Sequence, residues 1–255
     1  MVAFRYSDRP ELWDRIGDLS ARVWPEYNLH GDILNAYWNR LYDTFADYQF
    51  VLYDETTDEV LAEGHTIPCL WDQTPGGLNS GIDATIAAGF ASKATGASVN
   101  TLAALAAEIV PEHTRRGLSS QLLTQMVDLA RGAGLSSLIA PVRPTWKEHY
   151  PLVPIARYVG WLGADGQPFD PWIRTHVRLG GKIATPLPES LRITGNVSDW
   201  ESWTELAYPE SGDYVFPHGL ATVHIDRDLD LGTYWEPNVW IIHNATPTIR
   251  GATHD

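Results

Sequence analysis

Residues 101–135 read TLAALAAEIVPEHTRRGLSSQLLTQMVDLARGAGL, and this stretch decides the predicted fold. Its first ten residues are almost unbroken apolar, with a single glutamate, Glu108. Alanine is a poor strand former, but the proline and the polar run that follow Val110 favour a buried strand that ends there. After the turn PEHTRRG, apolar residues recur at helical spacing from Leu118 onward. The helix is predicted to end around the glycines of GAG at 132–134, because glycine favours the position after a helix.

The turn between this strand and this helix carries groups that suit a phosphate. They are Thr114, Arg115, Arg116, Gly117, Leu118, Ser119 and Ser120. The backbone N–H groups at a helix N-terminus have no partner within the helix, and the helix dipole is positive there. A glycine lets the backbone come close to a ligand, and two arginines add positive charge. The turn is therefore predicted to cradle a pyrophosphate, with a solvated basic turn as the alternative.

The segment VPEHTRRGLSSQLL resembles the acyl-CoA-binding segment of the GNAT superfamily of N-acetyltransferases. The family signature is Gln/Arg-x-x-Gly-x-Gly/Ala between a strand and a helix. Aligned on Gly117, this chain has Thr114 in place of the long first donor and Ser119 in place of the last small residue. The resemblance implies that acetyl-CoA is the co-substrate and is bound by the turn residues named above together with Ile109 and Val110. It also implies that the Val110 N–H holds the oxyanion of a tetrahedral intermediate.

Composition and charge limit the classes of function. A chain of 255 residues buries a full core, and its single cysteine, Cys69, excludes a disulfide framework and favours a reducing compartment. No apolar run reaches membrane-spanning length and the N-terminus lacks a signal-peptide core, so a cytoplasmic location is expected. The net charge of −14 argues against nucleic acid as a partner and mildly favours a cationic acceptor such as an amine.

The order of the predicted elements before residue 71 matches the opening of the GNAT fold. A short strand at Val2–Tyr6 is followed by two amphipathic helices, at Arg9–Trp24 and Asp32–Phe45. Two apolar runs, Tyr48–Tyr53 and Val60–Leu70, flank the turn sequence DETTDE and predict a hairpin. A strand, two helices and a hairpin in this order support the resemblance independently of the CoA motif.

Two insertions, at about 72–100 and 144–169, depart from a minimal version of that fold. The first is expected to contain a helix, IDATIAAGFASKA, and to serve either as a lid or acceptor pocket or as solvent-exposed decoration. Between the insertions, a strand at Ser137–Val142 is predicted to run parallel to the strand before the helix, in a right-handed unit. The resemblance implies that these two strands splay apart and accept the pantetheine arm.

The second insertion is rich in aromatic residues and prolines and follows directly on the parallel strand pair. Its position places it close to where an acceptor would enter. Trp146, His149 and Tyr150 are predicted to line a substrate pocket there. Aromatic packing under a long loop is the alternative.

A further helix is predicted after Asp170, which can cap it, and before Gly180. It resembles a later GNAT helix in which a tyrosine stands four residues before the glycine of a Leu-Gly-Phe sequence. The corresponding position in this chain is His176. The family tyrosine protonates the departing CoA thiolate, and a histidine can give or take a proton near neutrality. The alternative is a surface or packing histidine in a short helix.

Transfer to an amine also needs a base, because an amine is mostly protonated at neutral pH. Glu108 is the candidate, since it stands on a strand that otherwise shows almost only apolar side chains. Burial raises the pKa of a carboxyl group toward a useful value. The alternative is a glutamate that pairs with an arginine or turns to a sheet edge. A water-relayed route, or one based on His176, also stays open.

Residues 184–255 are expected to form an extended C-terminal region that completes the sheet. The sequence NVSDWESWTEL predicts a short helix capped by Ser198 or Asp199. Strands are predicted at Tyr214–Phe216, Ala221–Ile225 and Asn238–His243. The histidines of this region are too scattered for a metal site to be predicted, and the tail at 246–255 is expected to be frayed.

Together these features predict one α/β domain over residues 1–255: a GNAT-like mixed, mostly antiparallel sheet with a splayed parallel strand pair and helices on both faces. The predicted function is transfer of an acyl group, acetyl first, from acyl-CoA to an amine of a small molecule by direct attack in a ternary complex. Two alternatives stay open. One is a non-catalytic acyl-CoA sensor, and the other is a GNAT-like enzyme with O- or S-acyl transfer or malonyl decarboxylation. Homodimer formation is also left open.

Overall fold

The computed structural model describes residues 1–114 and 116–246, and within them nine strands form one mixed sheet. The strands are β1 (Val2–Arg5), β2 (Gln49–Asp54), β3 (Glu59–Cys69), β4 (Thr101–Ile109), β5 (Ser137–Val142), β6 (Lys182–Gly195), β7 (Gly212–Tyr214), β8 (Val223–Asp226) and β9 (Leu231–Asn244). Their spatial order is β1-β2-β3-β4-β5-β9-β8-β7, and β6 also pairs with β9. Neighbouring strands are antiparallel except for β4 and β5. The predicted fold class is therefore confirmed.

Helices cover both faces of this sheet. The α-helices are α1 (Ser20–Val23), α2 (Leu34–Trp38), α3 (Arg40–Thr44), α4 (Ile82–Thr95), α5 (Leu118–Gly132), α6 (Ile155–Tyr158), α7 (Pro171–Arg178) and α8 (Val197–Thr204). On one face, Leu122 and Met126 of α5 pack with Phe50 in a core of their own. On the other face, α4 and α8 pack into a larger core that contains Trp200 and Trp240. Successive strand residues contribute to opposite cores, as the alternation of side chains along a strand requires.

The stretch that decided the predicted fold forms β4, a turn and α5, as expected. β4 ends at Ile109 and α5 begins at Leu118. α5 connects β4 to the parallel strand β5, so the predicted strand–helix–strand unit is confirmed. β4 and β5 pair only over Thr101–Ala103 and Ser137–Ile139. Beyond those residues the two strands separate, which opens a gap in the middle of the sheet.

Of the two long helices predicted near the N-terminus, the first is wrong, because its segment is broken into short pieces. A 3₁₀ helix at Pro10–Arg15 stops at Gly17, whose φ of +59° lies in the left-handed region. α1 follows as a single turn, and Pro25, which lacks an N–H, starts a second 3₁₀ helix at Glu26–His30. The second predicted helix is the pair α2 and α3, which meet at Asn39. These short elements form one wall of the functional cavity described below.

The helix predicted in the first insertion is α4, and it belongs to the core rather than to exposed decoration. Ile86 and Phe90 are buried in the larger core together with Ile67 of β3. The N-terminus of α4 is joined to β6 by a hydrogen bond from the Ile82 N–H to the Ser190 hydroxyl, at 3.0 Å. α4 is therefore a fixed wall of the larger core and holds Ile82 at the edge of the cavity.

The substitution Gly81→Ala is expected to lower the free energy of unfolding by about 3 kcal/mol. Gly81 has a φ of +144°, and a Cβ there would lie 2.4 Å from the Cα of Ser190, a backbone atom that cannot rotate away. Urea unfolding of this variant beside Gly76→Ala measures the effect, because a Cβ at Gly76 meets no atom within 4 Å. Equal midpoints for the two variants would contradict the expected strain.

The C-terminal region completes the sheet, with two differences from the prediction. The helix α8 is capped by Asn196 in a capping box with Asp199, rather than by Ser198 or by Asp199 alone. β9 begins at Leu231, earlier than predicted, because its first half pairs with β6 and β8. Of the tail that was expected to be frayed, all but Thr246 lies outside the described residues.

No helix within residues 1–114 and 116–246 is both long enough and apolar enough to cross a membrane.

Candidate active site

A cavity of about 750 Å³ opens where β4 and β5 separate. One end of it is bounded by residues of α5, including Ser119, Leu122 and Met126. The other end is bounded by α1, α2 and α3 and by Glu63 of β3. The volume lies within the range of about 300–1,000 Å³ that is typical of small-molecule sites. One continuous space therefore connects the start of α5 with the N-terminal helices.

The turn before α5 has the features of a phosphate site. Gly117 caps the helix with a φ of +74°, and no described side chain bonds to the free N–H groups of the first turn. Ser119 lines the cavity, and Arg116, which precedes Gly117 in the chain, is exposed. The Thr114 hydroxyl donates to the Pro111 carbonyl at 3.1 Å, so it supports the turn itself.

Three other residues of the predicted cradle contribute differently. Leu118 is buried, and Ser120 does not line the main cavity. Arg115 lies outside the described residues. The part of the predicted cradle that the structure places at the cavity is therefore the N-terminus of α5, with Ser119 inside it.

The backbone N–H of Val110 is not free, which corrects the prediction that it holds an oxyanion. It donates to the Leu61 carbonyl on β3 at 3.0 Å, because the β3–β4 ladder continues past the end of β4. Successive N–H groups of a strand point to opposite edges. The N–H of Ile109 therefore points away from β3, toward the gap beside β5, and Ile109 lines the cavity.

The Glu108 side chain is fully buried and lies behind the cavity wall. Its oxygens accept hydrogen bonds from the Ser20 hydroxyl, at 3.0 Å, and from the Trp24 indole nitrogen, at 2.6 Å. Ser20 and Trp24 line the cavity, whereas Glu108 does not. The carboxyl group is thus separated from the cavity by one hydrogen bond, through Ser20.

A second carboxylate and a histidine lie next to Glu108. Glu63 stands directly opposite Glu108 in the β3–β4 ladder, and its Oε2 is 3.5 Å from Nε2 of His65. Nδ1 of His65 lies 3.1 Å from the amide oxygen of Gln49, whose amide nitrogen donates to two backbone carbonyls. This arrangement makes Nδ1 the donor to Gln49 and turns Nε2 toward Glu63.

Burial and mutual charge set the protonation of this cluster. Burial raises the pKa of Glu108 to about 7; the charge of His65 opposes this effect and the charge of Glu63 adds to it. Burial alone would raise the pKa of Glu63, but the charge of His65 outweighs it and leaves that pKa below its ordinary value. Burial lowers the pKa of His65, yet the two carboxylates outweigh burial and raise it. These shifts favour the ionised forms of Glu63 and His65, whereas the pKa of Glu108 lies near neutrality.

The same cluster has the donor set of a metal site. One ligand atom from each of Glu63, His65 and Glu108 lies within 4.8 Å of the other two. Carboxylate and imidazole groups suit several divalent cations, and the bond from His65 to Gln49 is of the kind that orients a metal-binding histidine. The sequence predicted no metal site, because Glu108 lies on another strand, far along the chain from Glu63 and His65.

His176 lies on α7 in the cavity wall and is almost fully buried. Its Nδ1 is 3.0 Å from Nε2 of His243 on β9. The His243 ring also bonds to the Leu179 backbone, which makes its other nitrogen a donor. His243 Nε2 therefore accepts the proton of His176 Nδ1, and His176 Nε2 carries a lone pair. That nitrogen is buried and has no hydrogen-bond partner among the described residues.

Both histidines are neutral at physiological pH. Burial lowers the pKa of His176 well below its ordinary value, and the neighbouring His243 lowers it further. Burial likewise lowers the pKa of His243 to about 4. In this tautomer His176 can accept a proton at Nε2 and then return it, whereas the family tyrosine is itself the proton donor.

Trp146, His149 and Tyr150 were predicted to line a substrate pocket, but none is among the described residues that line the cavity. Tyr150 instead packs edge to face against Trp161, at 5.0 Å between ring centroids, within an aromatic group that includes Phe169. His149 is exposed. Trp146 and Tyr150 thus take part in aromatic packing, but both are exposed rather than covered by a loop.

A partly buried ion pair at the cavity was not predicted from the sequence. Arg143, directly after β5, donates from Nε to Glu236 of β9 at 3.0 Å. Its Nη2 donates to the Tyr27 hydroxyl and to the His218 carbonyl, at 3.1 and 2.9 Å. Both Arg143 and Glu236 line the cavity, which therefore contains a cation as well as several acids.

Comparison with known proteins agrees with this architecture. A curated relative, the arginine N-acetyltransferase avaD of Aspergillus versicolor, is 29% identical over 92% of this chain and 91% of its own length. The loading GNATL domain of CurA from Lyngbya majuscula has the same fold, with a TM-score of 0.62 and 20% identity over 96% of this chain and 97% of that domain. The chain is thus similar in sequence to an N-acetyltransferase and has the GNAT fold.

A second solved GNAT structure shares the fold. The GNAT-like decarboxylase GphF, in complex with isobutyryl-CoA, has a TM-score of 0.58 and 18% identity, covering 96% of this chain and 100% of that protein. No family model matches the sequence. The two positions at which this chain departs from the GNAT signature, Thr114 and His176, lie in the turn before α5 and in the cavity wall.

The site residues that sequence reasoning missed left only a weak signal. Glu63 and His65 are polar side chains at alternating positions of a strand that is otherwise apolar and buried, EVLAEGHTIPC. Arg143 is a charged residue at the C-terminal end of a buried strand. Neither observation indicates a partner, because the partners come from distant parts of the GNAT sheet.

Proposed function

We propose that this GNAT protein transfers an acyl group, acetyl first, from acyl-CoA to an amine of a small cationic molecule. The observation that carries the proposal is the single cavity that connects the N-terminus of α5 with the buried carboxylates of β3 and β4. The N-terminus of α5 suits a pyrophosphate, and the carboxylates at the other end of the cavity suit an amine. The acyl carbon then lies between them, where β4 and β5 separate.

Acyl-CoA binding is assigned to the N-terminus of α5. The free N–H groups after Gly117 and the positive helix end face the pyrophosphate, and Arg116 adds charge. The pantetheine arm lies in the gap between β4 and β5. The N–H of Ile109 is the donor to the acyl oxygen and stabilises the oxyanion of the tetrahedral intermediate.

Proton transfer is assigned to two groups on opposite sides of the cavity. Glu108, whose pKa is raised to about 7, takes the proton of the acceptor ammonium through the Ser20 hydroxyl. The neutral amine attacks the thioester carbon, and the C–S bond breaks as the tetrahedral intermediate collapses. Nε2 of His176 accepts the proton that the attacking nitrogen loses and returns it to the departing thiolate, so charge and protons balance.

Arginine is the first acceptor to test. The curated relative is named an arginine N-acetyltransferase, and this cavity is lined by the carboxylates of Asp18, Glu63 and Glu236. A cation is attracted into a cavity of this charge. The cation Arg143 in the same cavity offers a partner for the carboxylate of an amino acid.

The test is to incubate the purified chain with acetyl-CoA and arginine and to follow free thiol together with product mass. We expect arginine-dependent CoA release and a product that carries one acetyl group. If the chain binds acetyl-CoA but releases no CoA with arginine or with a panel of other amines, the non-catalytic acyl-CoA sensor would be favoured instead.

Decarboxylation of a malonyl thioester is the second candidate, favoured by the guanidinium of Arg143 in the cavity. A malonyl carboxylate could pair with that cation before its carbon–carbon bond breaks. Incubation with malonyl-CoA alone distinguishes the two reactions, because decarboxylation gives acetyl-CoA and carbon dioxide without an acceptor. An unchanged malonyl-CoA mass would exclude this candidate.

The substitution Arg116→Ala is expected to weaken acetyl-CoA binding by about three- to tenfold, because it removes one positive charge next to the pyrophosphate. The effect is expected to shrink at high salt, which screens exposed charges. Calorimetric titration with acetyl-CoA measures both. Arg131→Ala is the matched control, because Arg131 lies in the last turn of the same helix and bonds to Asp128. Equal acetyl-CoA affinities for the two variants would contradict the assignment of the pyrophosphate to the turn before α5.

A further inference from the structure

We infer that the acidic end of the cavity is a guanidinium site, in which Glu63 pairs with the cation and Trp24, Trp38 and Tyr42 enclose its plane. The inference rests on the proposed function for its acceptor, and it adds which group of the acceptor is recognised and where. Glu108 keeps the separate role of the base.

The first support is the state of the Glu63 carboxylate. The residue is 3% exposed and lines the cavity, and no described donor bonds to its Oε2. The nearest cation, Nε2 of His65, is 3.5 Å away and does not have hydrogen-bond geometry. A buried carboxylate oxygen without a donor is costly. A ligand with N–H donors removes this cost.

The second support is the charge balance of the cluster. Glu63 and Glu108 face each other, and His65 is the one imidazole between them among the described residues. Because Nδ1 of His65 lies against Gln49, only its Nε2 faces the two acidic side chains. Glu108 is already bonded to Ser20 and Trp24, so Glu63 is the carboxylate with a free acceptor. A cationic ligand at Glu63 balances the cluster.

The third support is the shape of the surrounding wall. Trp24, Trp38 and Tyr42 are half-buried and all line the cavity beside Glu63. The bond from Trp24 to Glu108 fixes that indole, and the ring of Trp38 packs against His65 at 4.8 Å. Aromatic faces stack on a planar guanidinium, and its parallel N–H groups match a carboxylate. A compact, strongly hydrated ammonium gains less from such a wall, and a metal ion gains nothing from it.

The experiment measures binding by calorimetry with the full chain and without acetyl-CoA. Arginine is compared with citrulline, which has the same length but a neutral end group, and with lysine. We expect arginine to bind at least about tenfold more tightly than citrulline and than lysine. In Glu63→Gln, arginine affinity is expected to fall to that of citrulline, while acetyl-CoA affinity stays unchanged. Glu59→Gln, an exposed acid on the same strand, is the matched control.

Each outcome bears on the inference separately from the proposed function. Preference for arginine over citrulline without any acetylation would support the site and overturn the proposed reaction. Acetylation of arginine with equal binding of citrulline would overturn the site. Equal affinity for lysine would overturn the guanidinium assignment in favour of a general cation site. If Zn²⁺ or Mn²⁺ displaced arginine from the wild-type chain and did not bind to Glu63→Gln, the guanidinium assignment would be overturned in favour of a metal site.

Discussion

Glu108→Gln is expected to lower kcat/KM for the acceptor by about 10²- to 10³-fold and to leave the Kd of acetyl-CoA unchanged. The amide oxygen of glutamine can still accept from Ser20 and Trp24, so the wall keeps its contacts, but the side chain no longer takes a proton. Burial raises the pKa of Glu108 to about 7, so wild-type kcat/KM is expected to rise with pH through about 7 as the carboxyl group is deprotonated. In the variant this rise is expected to disappear. Rates of CoA release across pH measure both effects.

The matched control for this prediction is Glu112→Gln. Glu112 is an exposed glutamate in the same connection after β4, and it pairs with Arg22 at 2.8 Å. Its replacement is expected to leave both the rate and the pH profile unchanged. A Glu108→Gln variant that retained the rise near pH 7 would show that another group is the base.

His176→Phe is expected to lower kcat by about 10²-fold, again with unchanged acetyl-CoA affinity. Phenylalanine fills the same buried space but has no nitrogen to receive the proton of the attacking amine or to return it to the thiolate. Because burial keeps the pKa of His176 well below its ordinary value, the histidine is neutral throughout the assay range. The rise of kcat/KM near pH 7 belongs to Glu108 and is therefore expected to persist in this variant. Single-turnover acetyl transfer measures the loss.

His149→Phe is the matched control for His176→Phe. His149 is exposed and does not line the cavity, although the sequence predicted it to bind substrate. We expect no change in kcat or KM on its replacement. A larger loss of kcat for the His149 variant than for the His176 variant would contradict the role assigned to His176. It would indicate that the acceptor binds at the second insertion.

The β4–turn–α5 unit could be predicted because its signals are local. A run of apolar residues, a proline and then a 3.6-residue apolar period decide strand, turn and helix without any distant contact. The same holds for the cap at Asp170, whose side chain bonds to the N–H groups of Trp172 and Ile173. Glu108 was found for a similar reason, since one acid in an apolar strand stands out in the sequence.

The N-terminal region could not be predicted in the same way. Its apolar residues have helical spacing, yet Gly17 and Pro25 divide it into single turns. Those turns are held in place by partners elsewhere, such as Ser20 on Glu108 and the Tyr27 hydroxyl on the His218 carbonyl. Local propensity is a weak indicator where tertiary contacts decide the conformation.

The sequence by itself determined the fold class, the place of the turn before α5 and the burial of Glu108, because each depends on residues that are neighbours in the chain. The tertiary structure alone decided that Glu63 faces Glu108, that His176 contacts His243, and that the Val110 N–H is bonded to β3. Register across a ladder and contact between distant strands fix these features. No spacing within one segment encodes them.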